Sequence, residues 1–169
     1  MKILDRAHAS NFTYNDLDEG LRKGLKSADP SVYSVLSSVS KLYLKYHQRL
    51  DPVRGQVGLI YYGNAYPKTI TGRIVEGLAS KDRVSPSDFI NANAGAATSI
   101  CCTRYGFQGP TLVLTMPGHN VQAIARGLAD YWLTTGQADY LFLVEAQTDS
   151  AEVLHVSTEL LQRASAQFH

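Results

Sequence analysis

Apolar residues recur along this chain in two rhythms, and the rhythms alternate. From Ser31 onward, Val32, Val35, Leu36, Val39, Leu42, Leu44 and Tyr46 keep the spacing of a largely buried helix that stops near Asp51-Pro52. Residues 56–63 (Gln-Val-Gly-Leu-Ile-Tyr-Tyr-Gly) then form a nearly continuous apolar run of strand length and β-rich composition. A helix is expected over 68–80, and Ser85-Pro86-Ser87-Asp88 reads as the turn that opens another over 89–105. A strand over 111–116, a helix over 120–135, a strand over 140–146 and a last helix over 151–166 complete the series. The first 27 residues are the least legible. Within them Asn15-Asp16-Leu17-Asp18-Glu19 reads as a helix opening, with Lys23 and Lys26 suited to the opposite pole.

Strands that alternate with helices of ten or more residues call for right-handed crossovers and a largely parallel sheet. The runs Leu112-Val113-Leu114 and Tyr140-Leu141-Phe142-Leu143-Val144 have no polar alternation, so both of their faces should be covered. No repeat, low-complexity tract or linker divides the chain, and 1–169 reads as one α/β domain with helices on the faces of its sheet. Composition changes this little: 44% apolar and 18% charged residues mark a globular protein. A net charge of +1 supplies no field that would draw it to nucleic acid or to an anionic membrane. No apolar run approaches the ~20 residues of a membrane span, and Asp5 and Arg6 break the start where a signal peptide would be apolar. A cytoplasmic location is expected. Cys101 and Cys102 are adjacent, suit a reducing compartment, and read as small buried groups.

The first candidate for chemistry is Pro117-Gly118-His119-Asn120. A turn from strand to helix offers free backbone N–H groups and the positive end of a dipole, which suits an oxyanion or a phosphate. Gly118 and Asn120 would supply the binding turn, and His119 the proton-transferring group, as a neutral imidazole acting as base. The same residues also make a plain turn and cap. Gly63-Asn64-Ala65-Tyr66-Pro67-Lys68 likewise follows a strand and precedes a helix, but lacks the glycine pattern of a nucleotide loop. Gly63 and Tyr66 are candidate substrate contacts there, and Tyr61, Tyr62 and Tyr66 are candidates for an apolar wall. His8, His47, His155 and His169 have no metal spacing, and neither metal nor cofactor is expected. His155, with Glu152 and Glu159 three before and four after it, reads as an ion-pair face on the last helix. Glu145, closing an apolar strand, reads as a hydrogen-bond acceptor, and Asp139 as the fixer of a helix-to-strand turn.

Gly109-Pro110, a strand, Ala123-Ile124 in the following helix, Gly136-x-Ala138-Asp139, a second strand and Glu145 occur in that order. Ser85-Pro86-x-x-Phe89 precedes them. This stretch resembles the N-terminal half of the β-ketoacyl synthases, of the thiolase-like superfamily. In that family a catalytic Cys opens the helix, whereas Pro117 or Gly118 stands at its position here, and neither can attack an acyl group. A family member is more than twice this length, and its second half supplies two catalytic histidines. The resemblance therefore implies half of a thiolase-like fold, without condensing activity of its own, completed by dimerisation. In the family the strand before the nucleophile pairs with its twin, which places residues 111–116 at a pairing edge. The helix over 120–135 adds to that expectation: Val121, Ile124, Ala125, Leu128, Trp132 and Leu133 spread around it, leaving Gln122, Arg126 and Asp130 as its only polar stripe. Partners implied are a second copy or an active ketosynthase, with an acyl carrier protein as a further one.

Three functions remain open at this level. One is a non-condensing accessory protein of polyketide or fatty-acyl biosynthesis. The second is a repurposed enzyme that acts on carrier-bound or CoA-bound acyl groups through His119, by proton transfer, cyclisation or hydrolysis. The third is an unrelated α/β binding domain.

Overall fold

A computed structural model describes residues 1–116 and 120–164. Strand β1 (Lys2–Ser10) and the short helix α1 (Glu19–Arg22) precede the long helix α2 (Pro30–Leu50). Strand β2 (Val57–Gly63) is followed by helices α3 (Lys68–Lys81), α4 (Pro86–Asn91) and α5 (Ala96–Tyr105). Strand β3 (Thr111–Leu114), helix α6 (Asn120–Thr134) and strands β4 (Tyr140–Thr148) and β5 (Leu154–Gln162) complete the chain. The strands form one sheet in the order β1-β5-β4-β2-β3. β2 runs parallel to β3 and β4, while β5 is antiparallel to both β4 and β1.

Two expectations are corrected here. The last helix is a strand: along β5, Val156, Thr158 and Leu160 are buried on one face, and His155, Ser157 and Glu159 lie on the other. That is a period of two, which favours a strand over a helix once β4 and β1 flank it. The sheet is consequently mixed, because a tight β4–β5 hairpin permits only antiparallel pairing. The N-terminal region also begins with a strand, whose inward residues Ala7 and Ala9 are too small to have announced it. A third difference is smaller. The helix over 89–105 is broken at 92–95, where the N–H of Gly95 donates to Asn93 Oδ1 at 2.7 Å.

The two sheet faces carry separate cores. Leu59, Tyr61, Phe142, Val144, Val156 and Leu160 meet α2 and α5, whereas Ile60, Tyr62, Leu141, Leu143 and Leu161 meet α6. Alternation along β2 and β4 thus feeds both faces with apolar groups, as their unbroken runs require. α2 lies close on its face because five of its buried residues are serines (Ser31, Ser34, Ser37, Ser38 and Ser40). Ser38 bonds Thr158 of β5, and Ser34 Oγ accepts the N–H of Phe12 at 3.1 Å. Asp29 caps α2 from a nearly fully buried position. Its Oδ1 accepts the N–H and hydroxyl of Ser31 at 2.9 and 2.7 Å, and its Oδ2 accepts the N–H of Ile70 in α3 at 3.2 Å. Arg104 holds α1 by donating to the carbonyls of Gly20 and Lys23 at 2.9 and 3.0 Å.

The Gly109-Pro110 pair sits where β2 and β3 begin to run together. A Cβ on Gly109 would stand 2.6 Å from the carbonyl of Val57, so only glycine allows that approach. The N–H of Gly109 donates to Val57 at 3.1 Å, and that of Leu59 to Pro110 at 3.0 Å.

Candidate functional site at the carboxyl ends of the central strands

β2, β3 and β4 point their carboxyl ends toward the start of α6, the position at which open parallel sheets receive ligands. Gly63, Asn64, Tyr66, Asn120 and Glu145 gather there by topology. Pro117, Gly118 and His119, the heart of the expected site, lie outside the described residues. Asn120 is the first residue of α6 and is exposed, as is Tyr66.

The Gly63 turn is fastened to β4 rather than left free for an anion. Asn64 Oδ1 accepts the N–H of Thr148 at 2.7 Å, and its Nδ2 donates to the Thr148 carbonyl at 3.2 Å. The N–H of Ala65 donates to Ala146 at 3.2 Å. Gly63 itself has φ of 138° and backbone in contact with Ala146. The turn's polar groups are therefore largely spent on structure. Of the three tyrosines, only Tyr66 faces out. Tyr61 is buried on the α2 face and donates to the Ala65 carbonyl at 3.0 Å, and Tyr62 is buried on the opposite face under α6.

Beneath the first turns of α6 the sheet carries a ladder of polar groups that sequence reasoning did not assemble. Burial pushes the Tyr62 phenol up to about 12, with the nearby Glu145 carboxylate adding to the shift, and Gln122 and Arg126 opposing it. Tyr62 is thus a neutral hydrogen-bonding group at physiological pH. One rung further, Glu159 is nearly buried and sits between Arg6 Nε at 2.9 Å and Arg126 at 3.0 Å. The stripe Gln122, Arg126, Asp130 is accordingly not a uniformly wet face. Arg126 turns onto the sheet and neutralises Glu159, and Asp130 lies 3.7 Å from the N-terminal amine. The alternation Arg6-Ala7-His8 and Ser157-Thr158-Glu159 held this signal, once both segments were read as strands.

Glu159 gives the site a testable acid limb. Burial alone would raise its pKa, but hydrogen bonds from Arg126 and Arg6, reinforced by their charges, outweigh it and hold the carboxyl below its usual range. A depressed folded-state value adds stability above the unfolded value and loses it as pH falls through the folded one. Glu159→Gln is expected to cost about 1–3 kcal/mol near neutrality, discounted because both arginines are partly exposed. In urea titrations across the acid range, the gap between variant and native protein should close as pH falls. A gap independent of pH would remove the charge from the explanation.

His155 is not on an ion-paired helix. It lies on β5, its Nδ1 3.2 Å from Ser10 Oγ and its Nε2 3.2 Å from Asp149 Oδ2, while Glu152 pairs with Lys68 instead. Ser, His and Asp in sequence invite a catalytic reading. However, the other carboxylate oxygen of Asp149 already accepts the N–H groups of Ala151 and Val153 at 2.9 Å each. The set pins the β4–β5 turn to the end of β1. Asp139 behaves as expected, holding the turn into β4 through its N–H to Gln56 at 2.9 Å and its carboxylate to Arg163 at 2.7 Å. Cys101 is fully buried, which pushes its thiol far above the ordinary range, and Cys102 is raised as well. Neither is poised as a nucleophile. No group of three or more metal-binding side chains occurs among the described residues, and no described helix is long and apolar enough to cross a membrane.

A hollow of about 750 Å³ lies at the other end of the sheet, between Arg49, Val53, Leu133, Tyr140 and Arg163. Its position at the amino ends of β2 and β4 argues against a role in the chemistry of this fold class.

Neither a family model nor a curated protein matches the sequence. Solved structures do match. A polyketide ketosynthase in complex with its acyl-carrier protein (AntDE:AntF) aligns at a TM-score of 0.75 and 12% identity, over 90% of this chain and 50% of that one. A chain from the complex of the ketosynthase ApeO with its chain length factor ApeC, from Xenorhabdus doucetiae, aligns at 0.67 and 11% identity, over 98% of this chain and 79% of that one. The β-ketoacyl-[acyl carrier protein] synthase III of Thermus thermophilus aligns at 0.55 and 13% identity, over 99% of this chain and 53% of that one. The chain therefore has half of a ketosynthase-like, thiolase-like fold, and spans about half the length of two of these three matches.

Proposed function

We propose that the chain is a non-condensing, ketosynthase-like accessory subunit of polyketide or fatty-acyl assembly, pairing with an active synthase or with itself. One observation carries this reading. Half of a ketosynthase-like fold is present, yet residues 115–120 read Thr-Met-Pro-Gly-His-Asn, with no cysteine where the resemblance to the β-ketoacyl synthases implies one. The match to a chain from the complex of the ketosynthase ApeO with its chain length factor ApeC, over 98% of this chain and 79% of that one, supports it too.

Pairing would use the open side of β3, one of the two edge strands of the sheet. α6 adds an outward apolar surface, with Ile124 41% and Tyr131 56% exposed and Leu128 and Trp132 half-buried. Gly118, Asn120 and Tyr66 would line the entrance to an acyl pocket, which an acyl carrier protein would serve. Within this reading His119 takes no part in chemistry.

Incubation with acyl carrier proteins of varied chain length, followed by intact mass and peptide mapping, tests the reading. No acyl adduct should appear on residues 115–120, and His119→Ala should leave pathway output nearly unchanged. If that variant abolished product while keeping its fold and oligomeric state, the repurposed enzyme would replace the accessory subunit. A general base at this turn would be worth about 10²–10⁴-fold in rate.

A further inference from the structure

The two helices after β2 stand off from the body of the fold. Of the 14 residues of α3 only Ile70 is buried, and α4 buries none. They lean on each other, with Arg73 and Asp88 3.7 Å apart. The near end of α3 is anchored through Ile70 to Asp29 and through Lys68 to Glu152. Beyond that anchor the apolar groups point away: Phe89 and Ile90 are each 71% exposed, Val75 61% and Leu78 50%. Helices this short do not hold in water by propensity alone, and they rely on a packed apolar face. Here that face is turned outward, and four large apolar side chains on one hairpin exceed the scattered exposure normal for a surface.

The hairpin shares a flank with β3. The link out of α4 runs against that strand, where a Cβ on Gly95 would lie 3.8 Å from Val113 Cγ2. Met116, just past β3, is 42% exposed. Charge on the hairpin is close to balanced: Lys68, Arg73, Lys81 and Arg83 face Glu76, Asp82 and Asp88. A contact made there would gain by burying apolar area rather than by attracting an opposite charge. The area also matters for stability. β3 has 4 residues, too short a seam for the roughly 800 Å² per partner that a stable interface buries.

We infer that the α3–α4 hairpin is a docking arm, and that a ketosynthase-fold partner covers Phe89 and Ile90 while pairing along β3. The inference rests on the accessory-subunit reading. A synthase is the favoured occupant over a second copy because a copy would bring no nucleophile to the assembly. The match to a chain from the ApeO–ApeC complex, a ketosynthase with its chain length factor, points the same way.

The test is co-expression of the full chain with each ketosynthase encoded in its source genome, with complexes purified and their dissociation constants measured. Phe89→Asp combined with Ile90→Asp is expected to weaken the complex at least about 30-fold, the effect of losing a central apolar anchor. Melting temperature and circular dichroism should stay close to native, since neither side chain packs in its own fold. A photo-crosslinking phenylalanine analogue at position 89, in an otherwise native chain, should join the ketosynthase, and guards against a misfolded double variant. A ketosynthase that binds the double variant as well as the native chain, with no crosslink from position 89, overturns the arm and leaves the pairing reading standing. Crosslinks from position 89 to a second copy, with no ketosynthase bound, overturn the occupant. A chain that binds no ketosynthase and sediments as a monomer overturns both.

Discussion

Gly63→Ala is expected to be the most damaging single methyl group in this protein. At φ of 138° the residue occupies backbone space that side chains rarely enter, and an added Cβ would stand 2.0 Å from the carbonyl oxygen of Ala146. Both obstacles are backbone, so no side-chain rotation relieves them. The forced conformation costs about 1–3 kcal/mol, and the overlap adds about as much again. Relief would require β2 and β4 to part just where Ala65 and Asn64 tie the turn to β4. A fall in melting temperature of roughly 10 °C or more should follow for a domain of this size. A near-native melt would show that this turn is looser than the geometry states. The same reasoning removes Gly63 substitutions from any test of a substrate pocket, because lost folding would mask lost binding.

Asp29→Ala should come next in effect. The carboxylate is buried, caps α2 through Ser31 and receives the N–H of Ile70 from α3, so one side chain satisfies two helices. Losing the cap costs about 1 kcal/mol. Leaving further buried donors without acceptors raises the total to about 2–4 kcal/mol. Asp29→Asn separates the two roles. An amide can keep Oδ1 on Ser31 only by turning its NH2 toward the N–H of Ile70, donor against donor, and should lose about half as much. Denaturant unfolding of both variants, with hydrogen exchange at Ile70, measures the difference. Equal stability of Asn and native protein would mean that the bond to α3 contributes nothing.

Much of the fold was legible because its strongest elements announce themselves locally. α2, β2, α3, β3, α6 and β4 each carry a long period or an unbroken apolar run, and each stands within a few residues of its expected bounds. β5 was missed because Glu, Leu and Gln are good helix formers. The alternation of Val156, Thr158 and Leu160 with His155, Ser157 and Glu159 prevails only when neighbouring strands supply the hydrogen bonds. β1 was missed for want of bulk, since Ala7 and Ala9 suit a strand pressed against the serine-rich face of α2.

The candidate site divides in the same way. Gly63 was visible as a strand-ending glycine, whereas Pro117, Gly118 and His119, at the centre of the expected turn, lie outside the described residues. The Arg6–Glu159–Arg126 cluster was not visible, because its members come from three elements and 153 residues separate its ends. By itself the sequence determined the helices α2, α3 and α6 and the central strands β2, β3 and β4, that residues 115–120 hold no cysteine, and that α6 has more apolar surface than one neighbour can cover. Those are properties of spacing and residue type, and they survive without a partner segment. Only the tertiary structure decided that the sheet is mixed, that Arg126 is turned onto Glu159, that Gly63 is fixed by Ala146, and that Phe89 and Ile90 stand in solvent. Each of these depends on which distant backbone comes close, and long-range pairing leaves little trace in local pattern.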